Sequence, residues 1–169
     1  MTELLWTVVR SDGVRRVVLQ QLMNLTARAF GCKGKRVWTL PAHQALHTYA
    51  EFTRRQLQTP PSDELLQRMS DEACRRGRLL RRVFRLQRPA DVERMLCELY
   101  RHIGIRLEGQ VPGSLCFASC FFSRYYTPSV CLAASALDEG LMRGLAGEGR
   151  LRFWQRITEG CNHCLATYE

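Results

Sequence analysis

The chain has 169 residues, 46% of them apolar, enough for one domain with a buried core and against a disordered chain. Its net charge of +9 predicts an acidic partner or anionic ligand, with nucleic acid the commonest candidate. No run approaches the ~20 apolar residues of a membrane span, and "MTELLWTVVRSDGVRR" lacks a signal peptide's basic start and long apolar run, so a cytoplasmic protein is expected.

From Val14 to Phe30, the residues Val14, Val17, Val18, Leu22, Leu25 and Phe30 recur near the helical period, and "FGCKGK" ends the run. "LPAHQALHTYAEFTRRQLQTPP" repeats the pattern through Ala45, Leu46, Tyr49, Phe52 and Leu57 until Pro60 and Pro61, which cannot continue a helical ladder. Ser62 predicts the N-cap of a third helix, with Asp63 and Glu64 where the helix dipole favours negative charge. That helix runs towards Leu86, with Gly77 as a point of kinking. It carries seven arginines from Arg75 to Arg88, with Leu80, Val83 and Phe84 at helical spacing. An amphipathic helix with a solvated arginine face is favoured over a nucleic-acid surface. A fourth helix opens near Pro89, is carried by Val92, Met95, Leu96, Leu99, Tyr100 and Ile103, and is released around Gly104.

Beyond Gly104, "IRLEGQVPGSLCFASCFF" is rich in β-branched, aromatic and turn residues and predicts one or two strands turning at Pro112 and Gly113. Thr127 and Pro128 then open a helix with a buried stripe of Val130, Ala134, Leu137, Leu141 and Leu145. Gly140 and Gly144, four residues apart, clear one strip of that helix for a close backbone approach. Asp138 and Glu139 beside the notch read as a solvated face, and a buried acid there would be functional instead. "RLRFWQRITEG" alternates as a strand with Arg152, Trp154 and Arg156 on one face, Glu159 to His163 form its turn, and "CLATY" returns as a partner strand. The expected fold is α+β: a helical region, 1–104, packed on a small antiparallel sheet with one glycine-notched helix in a Cys-rich strand-helix-hairpin unit, 105–169, together read as one compact domain.

Eight cysteines without an export signal argue for reduced thiols. Cys32, Cys74 and Cys97 read as small buried residues. Cys116, Cys120, Cys161 and Cys164 form two short-range pairs, the general form of a zinc site, with His163 and Cys131 as spare ligands; an iron-sulfur cluster would draw on the same thiolates. Simple alternation puts Cys116 and Cys120 on one strand face but ~13 Å apart, so one ion takes both only if the segment bends. A dithiol couple at Cys161 and Cys164 is disfavoured in a hairpin turn. His43 and His47 have i, i+4 spacing but read as surface residues, and Arg152 and Arg156 beside Glu159 could hold a ligand carboxylate.

The segments "CFASCFFSRYYTPSVCLAASALDEG" and "LRFWQRITEGCNHCLATYE" resemble the end of the L-2-amino-thiazoline-4-carboxylic acid hydrolase family at Cys116, Ala118, Cys131, Arg156, Gly160, Cys164 and Tyr168. That resemblance implies hydrolytic opening of a small sulfur-containing ring, with Cys116, Cys131, Arg156 and Cys164 as catalytic candidates. The notched helix and hairpin are also similar to the 4-vinyl reductase domain, a small-ligand sensing module. Zinc-binding members of that type carry a glutamate and an extra cysteine where this chain has Phe153 and Arg156, so their zinc site is not carried over. The expected function is a small-molecule site centred on the cysteines, with a non-enzymatic ligand or metal sensor as the alternative and nucleic-acid binding as the second.

Overall fold

Each predicted helix forms, and its ends follow the local chemistry. In a computed structural model, which describes residues 12–111, 113–147 and 149–168, five α-helices surround one face of a four-stranded antiparallel sheet. The N-terminal stretch read for a leader lies mostly outside the described residues, as does Pro112 of the predicted turn. The helices are α1 (Asp12–Ala29), α2 (Ala42–Gln56), α3 (Asp63–Val83), α4 (Pro89–His102) and α5 (Pro128–Ala146). The strands are β1 (Ile105–Val111), β2 (Ser114–Cys120), β3 (Leu151–Gln155) and β4 (Cys164–Tyr168), in the order β1-β2-β4-β3. None of the described helices is long and apolar enough to cross a membrane.

The caps read from sequence are present. Ser62 Oγ accepts from Leu65 N–H and Thr127 Oγ1 from Val130 N–H, both at 3.3 Å, satisfying donors that a helix start leaves open. Helix α3 runs through Gly77 without a break. It ends where Leu86 N–H reaches back to Arg81 O at 3.0 Å, with Arg85 at φ +51° in the left-handed position usually given to glycine. An arginine there costs about 1 kcal/mol.

Helix α1 departs from its predicted face. Its fully buried residues are Leu19, Met23, Thr26, Ala27 and Ala29, while Val17 is 56% exposed. The stripe read from sequence, Val14 to Leu25, lines an apolar groove between α1, α3, α4 and α5. Val83 of α3 is likewise exposed rather than inward. On α2 and α4 the predicted stripes hold: Ala45, Leu46, Tyr49, Phe52 and Leu57, then Val92, Met95, Leu96 and Tyr100, are buried.

Helix α5 crosses α3 at the glycine notch. A Cβ on Gly140 would sit 2.0 Å from Ser70 O, one on Gly144 2.3 Å from Cys74 O, and one on Gly77 2.6 Å from Leu141 O, so each helix needs its bare strip to meet the other's backbone. This accounts for Gly77 inside a helix, where propensity alone argues against it. The sheet packs Leu107, Leu115, Phe117, Leu151, Cys164 and Ala166 into a core shared with α1, α2 and α4.

Replacing Gly140 by Ala is expected to lower the unfolding free energy by about 3 kcal/mol or more, because neither backbone can yield. Urea denaturation measures it, and a loss below about 0.5 kcal/mol would show that the helices do not need the notch.

Candidate functional site

Two register shifts decide which side chains meet. Leu107 pairs with Phe117 and Arg106 with Ser119, so Ala118 is an extra residue in β2, a β-bulge. Each bulge reverses the alternation beyond it. Cys120, paired with Ile105, therefore joins Phe117 on the inner face, whereas Cys116, paired with Glu108 and Leu165, lies on the outer face. This corrects the expectation that Cys116 and Cys120 share a face. In β3, Phe153 pairs with Ala166 and Gln155 with Leu165, leaving Trp154 as the extra residue, 65% exposed. Arg156 then turns away from Arg152 and Trp154, against the predicted common face, and sets its guanidinium 5.0 Å from the centre of the Phe153 ring.

The inward cysteines, Cys120 from β2, Cys131 from α5 and Cys164 from β4, line a small, partly open pocket of about 100 Å³. Tyr49, Tyr126, Asp138 and Thr158 share its wall. Leu22, Ile103, Leu137 and Asp138 also border the larger apolar groove, about 290 Å³, so the two spaces adjoin at Asp138. Cys131, Ala134 and Asp138 face the cavity because i, i+3 and i+7 fall on one side of α5.

Burial dominates the electrostatics. It pushes the Cys120 thiol up to about 12 and raises those of Cys131 and Cys164, despite the opposing pull of Arg156 on the last two. The backbone N–H of Ile157 donates to Cys164 Sγ at 3.3 Å. At neutral pH these thiols are protonated, soft and apolar rather than nucleophilic. Burial also pushes the Asp138 carboxyl from 3.8 up to about 6, although Tyr100 Oη donates to its Oδ1 at 2.8 Å. The glycine notch thus stands beside a partly buried acid that its surroundings desolvate.

Two polar groups nearby lack a complete partner. Thr158 Oγ1 lies beside Cys131 and holds that thiol down slightly, yet it reaches no partner in hydrogen-bond geometry. Arg156 Nε is buried without an acceptor, while its Nη1 lies 3.5 Å from Glu159. Unpaired buried donors are costly and mark where a ligand's acceptor would be stabilised.

Of the catalytic candidates, Cys131, Arg156 and Cys164 come together, and Cys116 does not. The metal candidates, Cys116, Cys120, Cys161, Cys164 and His163, do not converge: among the described residues no group of three or more His, Cys, Asp or Glu is placed to hold a metal ion. Cys161 follows the left-handed Gly160, where its N–H donates to Arg156 O at 3.3 Å, and His163 O accepts from Gln155 Nε2. His47 packs edge-on to the Tyr125 ring, 5.3 Å between centres. Along the basic helix, Arg75 pairs with Glu72, Arg88 with Asp91 at 3.0 Å, and Arg76 borders the apolar groove. The cavity residues that sequence reasoning passed over are Cys120 as a partner of Cys131, together with Tyr49, Tyr126 and Thr158. Only the bulge at Ala118 would have signalled the first, and an isolated strand does not reveal it.

Comparison with family models, with curated proteins and with solved structures finds no match.

Between about pH 4 and pH 6 the folded chain keeps a proton on Asp138 that the unfolded chain releases, so this group erodes stability as pH rises through that window. Asp138→Asn keeps an oxygen for Tyr100 and removes the penalty. Its stability relative to the parent is expected to rise from pH 4 to pH 7 by on the order of 2 kcal/mol, measured by denaturant titration across pH. A pH-independent difference would contradict an enclosed carboxyl.

Proposed function

We propose that the chain is a small-molecule-binding protein whose site is the cysteine-lined cavity together with the apolar groove that adjoins it. The observation that carries this reading is the convergence of Cys120, Cys131, Cys164 and Asp138 on one small pocket beside a second, apolar one. Ligand sites are concave, mostly apolar and supplied with a few placed polar groups. The ligand suited to it has an apolar body for Val18, Leu22, Leu25 and Leu141 and a hydrogen-bonding or basic head for Asp138 and Tyr100.

Raised thiol pKa values favour binding over thiolate catalysis, since a nucleophilic cysteine needs its pKa lowered. The resemblances to a thiazoline hydrolase and to a ligand-sensing domain share a small-molecule site, and the sensing side of that pair fits protonated thiols better. For the hydrolase side, the thiol of Cys131 or Cys164 would have to add to the ring carbon as a ring carbon–sulfur bond breaks, with water then freeing that carbon from the cysteine and Asp138, on the same wall, as the candidate acceptor of the thiol proton.

NMR titration with 1-naphthylamine and with naphthalene tests the site. The amine is expected to perturb residues around Asp138 and to bind about tenfold more tightly than the hydrocarbon, an advantage lost in Asp138→Asn. Leu22→Trp, at the junction of the two spaces, is expected to abolish binding of both. Turnover of 2-aminothiazoline-4-carboxylate that disappears in Cys131→Ser or Cys164→Ser would overturn the binding reading in favour of hydrolysis.

A further inference from the structure

The arginines of the last turns of α3 form a second feature, independent of the internal site. Arg78, Arg81 and Arg82 stand at i, i+3 and i+4 on one side of α3, and Arg85 follows from the left-handed position just beyond its end. At 1.5 Å rise per residue the three helical arginines span about 6 Å along the axis, and Arg85 extends the row. With Arg143 of α5, Gln87 and the backbone at Gly144 and Gly147, they line an open groove of about 720 Å³.

No Asp or Glu lines this groove. Arg143 pairs with Asp71 at 3.0 Å, but Arg78, Arg81, Arg82 and Arg85 have no acidic partner among the described residues. Farther along the chain Arg75 is tied to Glu72 and Arg88 to Asp91, while Arg76 borders the apolar groove instead. Arginine side chains are thus gathered on one short, concave stretch that no carboxylate lines. Self-repulsion disfavours such a cluster unless an anion neutralises it.

Two details of the backbone reinforce the cluster. Arg81 is half-buried, and its Nη1 would lie 3.0 Å from a Cβ on Gly147, so the guanidinium rests over the C-terminal end of α5, where the helix dipole attracts a cation. Arg85 occupies the left-handed cap, φ +51°, where glycine is the less strained residue. Strain of this kind collects at ligand sites. It gives the groove one guanidinium more than a glycine cap would.

We propose that this groove binds a polyphosphorylated small molecule, one that presents three or more phosphate groups along its arginine row. Guanidinium matches phosphate oxygens bidentately and is weakly hydrated, so arginine rather than lysine suits the task. A monoanion engages too few of the four arginines. A nucleic-acid strand would need free basic residues that continue the row, whereas Arg75 and Arg88 are held by carboxylates and Arg76 borders the apolar groove.

Isothermal titration calorimetry with sodium tripolyphosphate at about 0.15 M salt tests the proposal. Saturable binding at one site per chain is expected, about a hundredfold tighter than inorganic monophosphate. Arg82→Gln/Arg85→Gln, at exposed positions, is expected to weaken it about tenfold or more, and Arg75→Gln to leave it unchanged. Arg85→Gly separates binding from folding: it relieves the strained cap, so the melting temperature rises while tripolyphosphate binding falls. Absence of saturable binding, equal weakening by Arg75→Gln, or tighter binding of a single-stranded oligonucleotide through the same arginines would each overturn the proposal.

Discussion

The close crossing of α3 and α5 is the constraint on which the rest of the structure depends. Gly77, Gly140 and Gly144 bring backbone against backbone, and any side chain at Gly140 or Gly144 would enter the peptide groups of Ser70 or Cys74. The contact fixes the height and rotation of α5. Rotation decides which residues α5 shows to the sheet, and they are Cys131, Ala134 and Asp138. Height decides where α5 ends, and Gly144 and Gly147 there form one side of the arginine groove. Both proposed sites are thus set by one helix pair.

The sheet completes the internal site by breaking its own alternation. A regular strand would place Cys116 and Cys120 together and would hold Arg156 with Arg152 on the outer side. One extra residue in β2, Ala118, and one in β3, Trp154, reverse that order locally, so Cys120 and Arg156 turn inward. The bulges lie next to the cavity they serve. In such an enclosure the solvation penalty outweighs the attraction of Arg156: the thiols stay protonated and the carboxyl of Asp138 titrates well above its ordinary range.

The charge of the chain is divided by depth. Around the cysteine-lined pocket Asp138 and Cys164 are met by the neutral donors Tyr100 Oη and Ile157 N–H, while Arg54 and Arg75 on the surface are matched with carboxylates on their own helices. The row from Arg78 to Arg85 sits in a concavity that no carboxylate lines. Net charge alone signals an anionic partner for the molecule, and the pairing of individual arginines narrows the place where such a partner would bind.

Much of the fold was legible in local chemistry. The caps at Ser62 and Thr127, the stops at Pro60 and Gly104, and the buried stripes of α2 and α4 rest on hydrogen bonding and helical period, which act over a few residues. The glycine notch and Asp138 were visible as well, though their meaning was not, because only a partner helix can fill a notch and enclose an acid. Helix α1 carries apolar residues on two faces, and its period could not say which faces the core. Register was illegible for a stronger reason: a bulge depends on what a neighbouring strand offers, and Ala118 or Trp154 looks ordinary within its own strand. The sequence by itself therefore determined the elements, their ends and the supply of thiols and arginines. Only the tertiary structure decided which of them meet, since that follows from backbone contact between α3 and α5 and from pairing across the sheet.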